Sequence, residues 1–386
     1  MTIREREEQI RRLFTPALAE ALLPAAVPEC ERRLKAEVNA CIGRLPPICH
    51  ELMAATPADD AELRVARELC DYRMPLMDGS ALPMGLPYDW YYGVGDDHLG
   101  GQAPAFIVPR IAFAQTLARA HRRTGDRVFA ETLRNYIVDY VSRYWIDSAR
   151  LPARDNWLCT ACRCGTWHCT RFGGIHAALR NPTLLEAFSF DDLLAVLRAI
   201  DNMMTGLIPN LALGSNWRVH ELSNLFTQGF SYPFLRHSAL WLELAVNGLN
   251  EEFAVQIRDD GSHEESALHY GSGTWLVFAT YHVLAAQAPE TGLRFDPGKM
   301  ARAMDYFLSA CKPFGITAAI GDDYASRSVT MLDGVSAPHR NNRPPAWDGH
   351  LREAAHLLGR LPAFPAAAFV RRGAPAPDWQ SRYHAD

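Results

Sequence analysis

The chain has 386 residues, 48% of them hydrophobic, and a formal net charge of −5, enough apolar material for a large core and too little positive charge for phosphate tracking. Those values argue against a nucleic-acid binder, and the length allows two or three domains or one large unit of the kind helical toroids and barrels form. Nine cysteines, an odd number in a chain this long, do not form a disulfide framework and fit a reducing compartment.

The opening MTIREREEQIRRLF places charges where an export signal carries its apolar stretch, and no apolar run reaches the length of a membrane span. The chain as written therefore reads as cytoplasmic; a periplasmic or secreted location requires an export signal that has been removed. Residues 1–84 are expected to form a helical segment that packs on a larger domain. Within the next stretch, YDWYYGVGDDHLGG, the aromatics Trp90 and Tyr91 stand among Gly and Asp, as sugar-stacking residues in a loop do, while core packing is the plain alternative.

Helical periodicity then dominates. Ile107, Ile111, Leu117 and Ala120 share a face, and Thr124, Gly125 and Asp126 end that helix and cap the next, which carries Phe129, Leu133, Ile137, Tyr140, Val141 and Trp145. The segment CTACRCGTWHC holds Cys159, Cys162, Cys164 and Cys169, spaced to hold zinc or an iron–sulfur cluster. All four fall within eleven residues, whereas structural zinc sites use two separated pairs, so packed free thiols are the preferred reading and no cofactor is expected. Further helices are predicted at about 184–206, 216–229, 233–258, 266–287, 297–312 and 347–358, with few strand-like alternations. Serial helices of this length joined by short turns pack as antiparallel hairpins. Without a fixed repeat, the pattern predicts an all-α fold, an α/α toroid, rather than a regular solenoid.

Chemistry concentrates between residues 213 and 273. LGSNWRVHELSNLF supplies Asn216, Trp217, His220 and Glu221; QIRDDGSHEESALHYGSG supplies His263, Glu265, His269 and Tyr270. Removing a proton beside a carboxylate builds a dianion unless hydrogen bonds first offset the carboxylate charge. Asn216 offers oriented, neutral donors, and His220 lies four residues on, on the same side of a helix. Tyr270, with a reference pKa of about 10, suits protonation of a leaving oxygen, or works as a base under positive bias, for which His263 and His269 are candidates. Glu221 and Glu265 read as binding residues or partners of the histidines, and Trp217 as a sugar platform; Trp241 belongs to a continuous apolar helix. Each has a plainer reading: a helix cap for Asn216, a satisfied core hydroxyl for Tyr270, a simple turn at Asp260 and Gly261.

These landmarks have an order. The TGD turn, Arg163 and Trp167, SNW, DGSHEES, HY and the IGDD at 320–323 resemble the helical N-terminal domain of the heparinase II/III and alginate lyase superfamily, over about residues 85–325. The resemblance implies an incomplete α/α toroid of residues 85–345, with 346–386 as a last helix and linker toward a β-sandwich domain that would follow where the chain stops. It implies a polysaccharide lyase acting on a uronic-acid polymer by β-elimination, with Asn216 at the substrate carboxylate and Tyr270 as acid and base. The family commonly has tyrosine before histidine at this point, whereas this chain has His269 before Tyr270. An anionic polysaccharide is then the expected partner, with Arg163 among its contacts, and neither nucleic acid nor membrane is expected. The competing readings are a toroidal glycoside hydrolase using paired carboxylates, for which Asp259, Asp260, Glu264, Glu265, Asp322 and Asp323 are available, and a non-catalytic glycan-binding module.

Overall fold

The structure, a computed structural model, describes residues 2–54, 56–75, 81–83, 85–88, 90, 111, 113–145, 174–265, 267–312, 316–317 and 349–361. Helices α1 (Ile3–Leu13), α2 (Pro16–Leu22), α3 (Val27–Gly43), α4 (Pro47–Met53) and α5 (Asp60–Cys70) come first. A short antiparallel pair follows, β1 (Arg73–Pro75) with β2 (Ala81–Pro83). Then come α6 (Ala114–Thr124), α7 (Arg127–Tyr144), α8 (Gly174–Leu179), α9 (Pro182–Leu185), α10 (Phe190–Leu207), α11 (Asn216–Ser231), α12 (Ser238–Gln256), α13 (Leu268–Gln287) and α14 (Pro297–Ser309). A second antiparallel pair, β3 (Cys311–Lys312) with β4 (Ile316–Thr317), and α15 (Gly349–Leu358) complete the described elements.

The helix boundaries follow local chemistry. Thr2 and Glu5 cap α1 reciprocally, as Asp59 and Glu62 cap α5 and Ser189 and Asp192 cap α10, each pair satisfying two backbone N–H groups that have no partner within the helix. The predicted TGD turn forms: Gly125 takes the left-handed conformation at φ 69°, which costs glycine little. Asp126 then accepts from the Val128 N–H at 3.0 Å and opens α7. The helix expected from about residue 184 is two, because the chain leaves α9 and restarts at the Ser189 cap.

Consecutive helices pack side by side: α6 on α7, α11 on α12, and α10 against α7, α3 and α1. Helix α13 touches α4, α11, α14 and α15, so it has no free face. Its sequence is accordingly apolar all round, with Trp275, Leu276, Val277, Phe278, Ala279 and Val283 buried. The N-terminal helices pack directly on this array through α1, α3 and α4. Among the described residues, no helix is long and apolar enough to cross a membrane.

Trp90 departs from the sequence reading. It is wholly buried, with ring centroids 4.8 Å from Tyr88, 5.1 Å from Tyr140 and 6.1 Å from Tyr136, and its indole N–H donates to Asp139 at 2.8 Å. A polar loop had suggested exposure, but the indole N–H finds a buried acceptor and the ring finds an aromatic cluster, so Trp90 is a core residue and not a sugar platform. Trp241 is buried in α12, as expected.

Candidate active site

Helices α11 and α13 begin at the same end of the molecule, because α12 returns the chain between them. Gln256, the last residue of α12, donates its side-chain amide to the Ser215 carbonyl at 2.9 Å, just ahead of α11. Ile257 and His263 form an antiparallel bridge that folds the intervening segment back on itself. Within it, Asp260 accepts from the Ser262 N–H at 2.9 Å and from its hydroxyl at 2.7 Å, which holds the Asp260 carboxyl below its usual range.

Gly261 sits at the tip of this turn with φ 90°, a region side chains rarely adopt. A Cβ placed there would lie 2.2 Å from the Arg302 carbonyl oxygen and 2.6 Å from the Ala303 nitrogen, both backbone atoms of α14 that cannot rotate away. Gly261→Ala should therefore destabilise the protein by about 3 kcal/mol or more, combining backbone strain with overpacking. Urea unfolding of the variant checks this; a loss below about 1 kcal/mol would show that the turn is not seated on α14.

Asn216 is the first residue of α11, and Ser215 is the capping residue, without a side-chain cap of its own. The cap comes from elsewhere in the chain. The Glu265 carboxylate accepts the Asn216 backbone N–H at 2.9 Å through Oε1 and the Asn216 side-chain N–H at 3.0 Å through Oε2. A carboxylate at a helix N-terminus is favoured by the helix dipole and by the unsatisfied N–H groups there. This contact joins the Ser-Asn-Trp helix start to the turn that precedes Tyr270, 49 residues apart in sequence.

His263 completes a closed circuit. Its Nδ1 accepts the Glu265 backbone N–H at 3.1 Å, which assigns the ring proton to Nε2, and Nε2 donates to Gln256 Oε1 at 3.2 Å. Burial lowers the His263 pKa to about 4, with the Glu264 carboxylate opposing and Arg258 reinforcing the shift. His263 is thus neutral at neutral pH and supplies no positive bias to Tyr270, contrary to the role the sequence suggested for it. Gln256 also donates to Glu252 at 2.6 Å, and Glu252 pairs with Arg218 at 2.7 Å. Gln256, Glu252 and Arg218 carry no motif, because their partners lie across two helices; only their polarity near a helix end marked them.

The remaining residues line the same two helix starts. Trp217 is 44% exposed and Leu213 is 91% exposed, so an apolar, solvent-facing surface flanks Asn216. Glu221 is buried and its Oε2 accepts the Ala212 N–H at 2.7 Å, pinning the loop that leads to Asn216. Burial raises the Glu221 pKa to about 7 against the pull of the Ala212 N–H and of Arg218. His220 is buried one turn beyond Asn216, its carbonyl accepting from the Ser223 hydroxyl and the Asn224 amide at 2.8 Å each. Tyr270 is half-buried in the first turn of α13, five residues beyond Glu265, and His269 precedes it in the same helical turn. Tyr91, Arg163 and the cysteines Cys159, Cys162, Cys164 and Cys169 lie outside the described residues. Among the described residues no cluster of His, Cys, Asp and Glu could hold a metal ion.

On this helical toroid the start of α11, at Asn216, and the segment that enters α13, at Glu265, meet at one end of an array of paired helices. The heparinase II/III N-terminus family matches residues 58–294, and the chain belongs to that family. The fold is similar to that of a heparan sulfate lyase HepC mutant from Pedobacter heparinus, with a TM-score of 0.66 and 16% identity over 95% of this chain and 55% of that one. It is also similar to the same enzyme without the mutation, at a TM-score of 0.63, 16% identity and the same coverage. A heparinase III structure matches at a TM-score of 0.57 and 18% identity, over 84% of this chain and 48% of that one. The chain thus spans about half the length of the solved structures it matches. No curated protein sequence matches it.

Proposed function

We propose that this chain carries the helical part of a polysaccharide lyase that cleaves a uronic-acid-containing polysaccharide by β-elimination. One observation carries the reading: Asn216 and the first N–H of α11 already hold a carboxylate, that of Glu265, on the segment leading into Tyr270. Nδ2 of Asn216 carries a second hydrogen beside the one given to Glu265, and that donor suits the carboxylate of a uronate ring, where a hydrogen bond offsets charge as the proton on C5 is removed.

In the reaction, a base takes the C5 proton, the electron pair forms the C4–C5 double bond, and the C4–O bond breaks. The leaving oxygen takes a proton, which Tyr270 supplies as general acid. Asn216 steadies the carboxylate while charge accumulates on it, Trp217 offers an apolar face to a sugar ring, and His220 and His269 complete the proposed set. Membership of the heparinase II/III family and the similarity to heparan sulfate lyases favour a glycosaminoglycan among uronate polymers.

The test is incubation of the full-length protein with heparan sulfate, hyaluronan and alginate, following ultraviolet absorbance of the unsaturated uronate together with new reducing ends. Elimination raises both in step. New reducing ends without absorbance would replace the lyase by a hydrolase, and retained binding without either product would leave a glycan-binding module.

A further inference from the structure

We propose that Glu265 is a positioning residue that sets the orientation of the Asn216 carboxamide, a role that rests on the function proposed above. Asn216 turns two donors, its backbone N–H and its side-chain Nδ2, toward one place, and only a carboxylate meets both with an acceptor. Because both Glu265 oxygens are acceptors, the NH2 end of the carboxamide must face them and Oδ1 must face away. The amide is thereby held against a 180° flip. Nδ2 carries two hydrogens and gives one to Glu265, so the second is held in a defined direction for a ligand.

Glu265 can do this because it is itself held. Its backbone N–H is bound by His263 Nδ1, His263 is bound by Gln256, and Gln256 reaches back to the Ser215 carbonyl beside Asn216. This ring ties the start of α11 to the segment entering α13, where Tyr270 lies. An amide free to rotate would present its oxygen to a uronate carboxylate half the time, and repulsion would replace attraction. Fixed orientation matters most as charge builds in the transition state, so its loss should appear in kcat more than in KM.

The experiment compares Glu265→Ala, Glu265→Gln and the unaltered full-length protein on the polymer that the unaltered protein cleaves, with and without sodium formate and with a matched chloride control. For Glu265→Ala, kcat should fall on the order of 10²-fold with KM changed less than about threefold. Formate, a carboxylate small enough for the vacated position, should restore at least about tenfold of that loss in a saturable manner and leave the unaltered protein unaffected. Glu265→Gln, which offers one acceptor and one donor, should lose an intermediate amount. A Glu265→Ala variant within about twofold of full kcat, or one that is folded and insensitive to formate, overturns the proposal. If Glu265→Ala does not fold, Glu265→Gln decides: full kcat overturns the proposal, and a kcat loss without a matching KM change supports it. If the unaltered protein cleaves no uronate polymer, the lyase reading fails by itself. Thermal unfolding still tests the carboxylate position then: formate should raise the Tm of Glu265→Ala and not that of the unaltered protein, and equal response of the two overturns it.

Discussion

Tyr270→Phe should lower kcat for elimination on the order of 10³-fold and leave the thermal midpoint nearly unchanged. The phenolic proton is what the breaking C4–O bond requires: a sugar alkoxide is far more basic than a phenolate, and expelling it unprotonated adds several kcal/mol to the barrier. General acid catalysis by a positioned side chain is worth about 10²–10⁴-fold, and 10³-fold corresponds to about 4 kcal/mol. The ring is kept, so packing at this half-buried position in the first turn of α13 is preserved. Steady-state kinetics with the unsaturated-product absorbance, paired with calorimetry, measures both. Activity within tenfold of the unaltered protein would remove Tyr270 from proton transfer.

The second large effect concerns pH and stability, and it comes from two buried groups with opposite shifts. His263 titrates at about 4 in the folded protein against 6.5 for an unperturbed histidine, so between those values the unfolded chain takes up a proton that the folded one refuses. Stability from this group therefore falls as pH drops from 6.5 toward 4. Glu221 titrates at about 7 against 4.5 for an unperturbed glutamate, so the folded chain keeps a proton that the unfolded one loses. Stability from Glu221 therefore falls as pH rises from 4.5 toward 7. At 1.36 kcal/mol per pH unit, each contribution spans roughly 3 kcal/mol.

In the unaltered protein the two slopes cancel between pH 4.5 and 6.5. His263→Gln, which removes one of them, should expose a loss of roughly 3 kcal/mol as pH rises from 4.5 to 7. Glu221→Gln should expose a gain of similar size as pH rises from 4 to 6.5. Urea unfolding across pH 4 to 8 for the three proteins reads this directly. Curves of His263→Gln and Glu221→Gln that both run parallel to that of the unaltered protein would show that neither group has a shifted proton equilibrium.

Much of the fold was legible because helix boundaries are local events. Thr124, Gly125 and Asp126 act within one turn of each other, and the outcome, a left-handed glycine followed by an aspartate cap, depends on no distant residue. The same holds for α11, α12 and α13, whose predicted spans of 216–229, 233–258 and 266–287 lie close to the observed Asn216–Ser231, Ser238–Gln256 and Leu268–Gln287. Trp90 was misplaced because its surroundings in sequence are polar, while its burial depends on Tyr136, Tyr140 and Asp139 of a helix that begins 37 residues later.

The site divides along the same line. Amino-acid types and order by themselves determined the helical class, the turns, and which groups are available for chemistry: the amide of Asn216, the phenol of Tyr270 and the carboxylates around them. Only the tertiary structure decided that Glu265 caps a helix 49 residues away, that Gln256 straps the two helix starts together, and that His263 is neutral while Glu221 holds a proton near neutrality. The reason is physical. Hydrogen bonding between distant segments and loss of solvent around an ionisable group are set by three-dimensional packing, and periodicity along the chain carries no record of either.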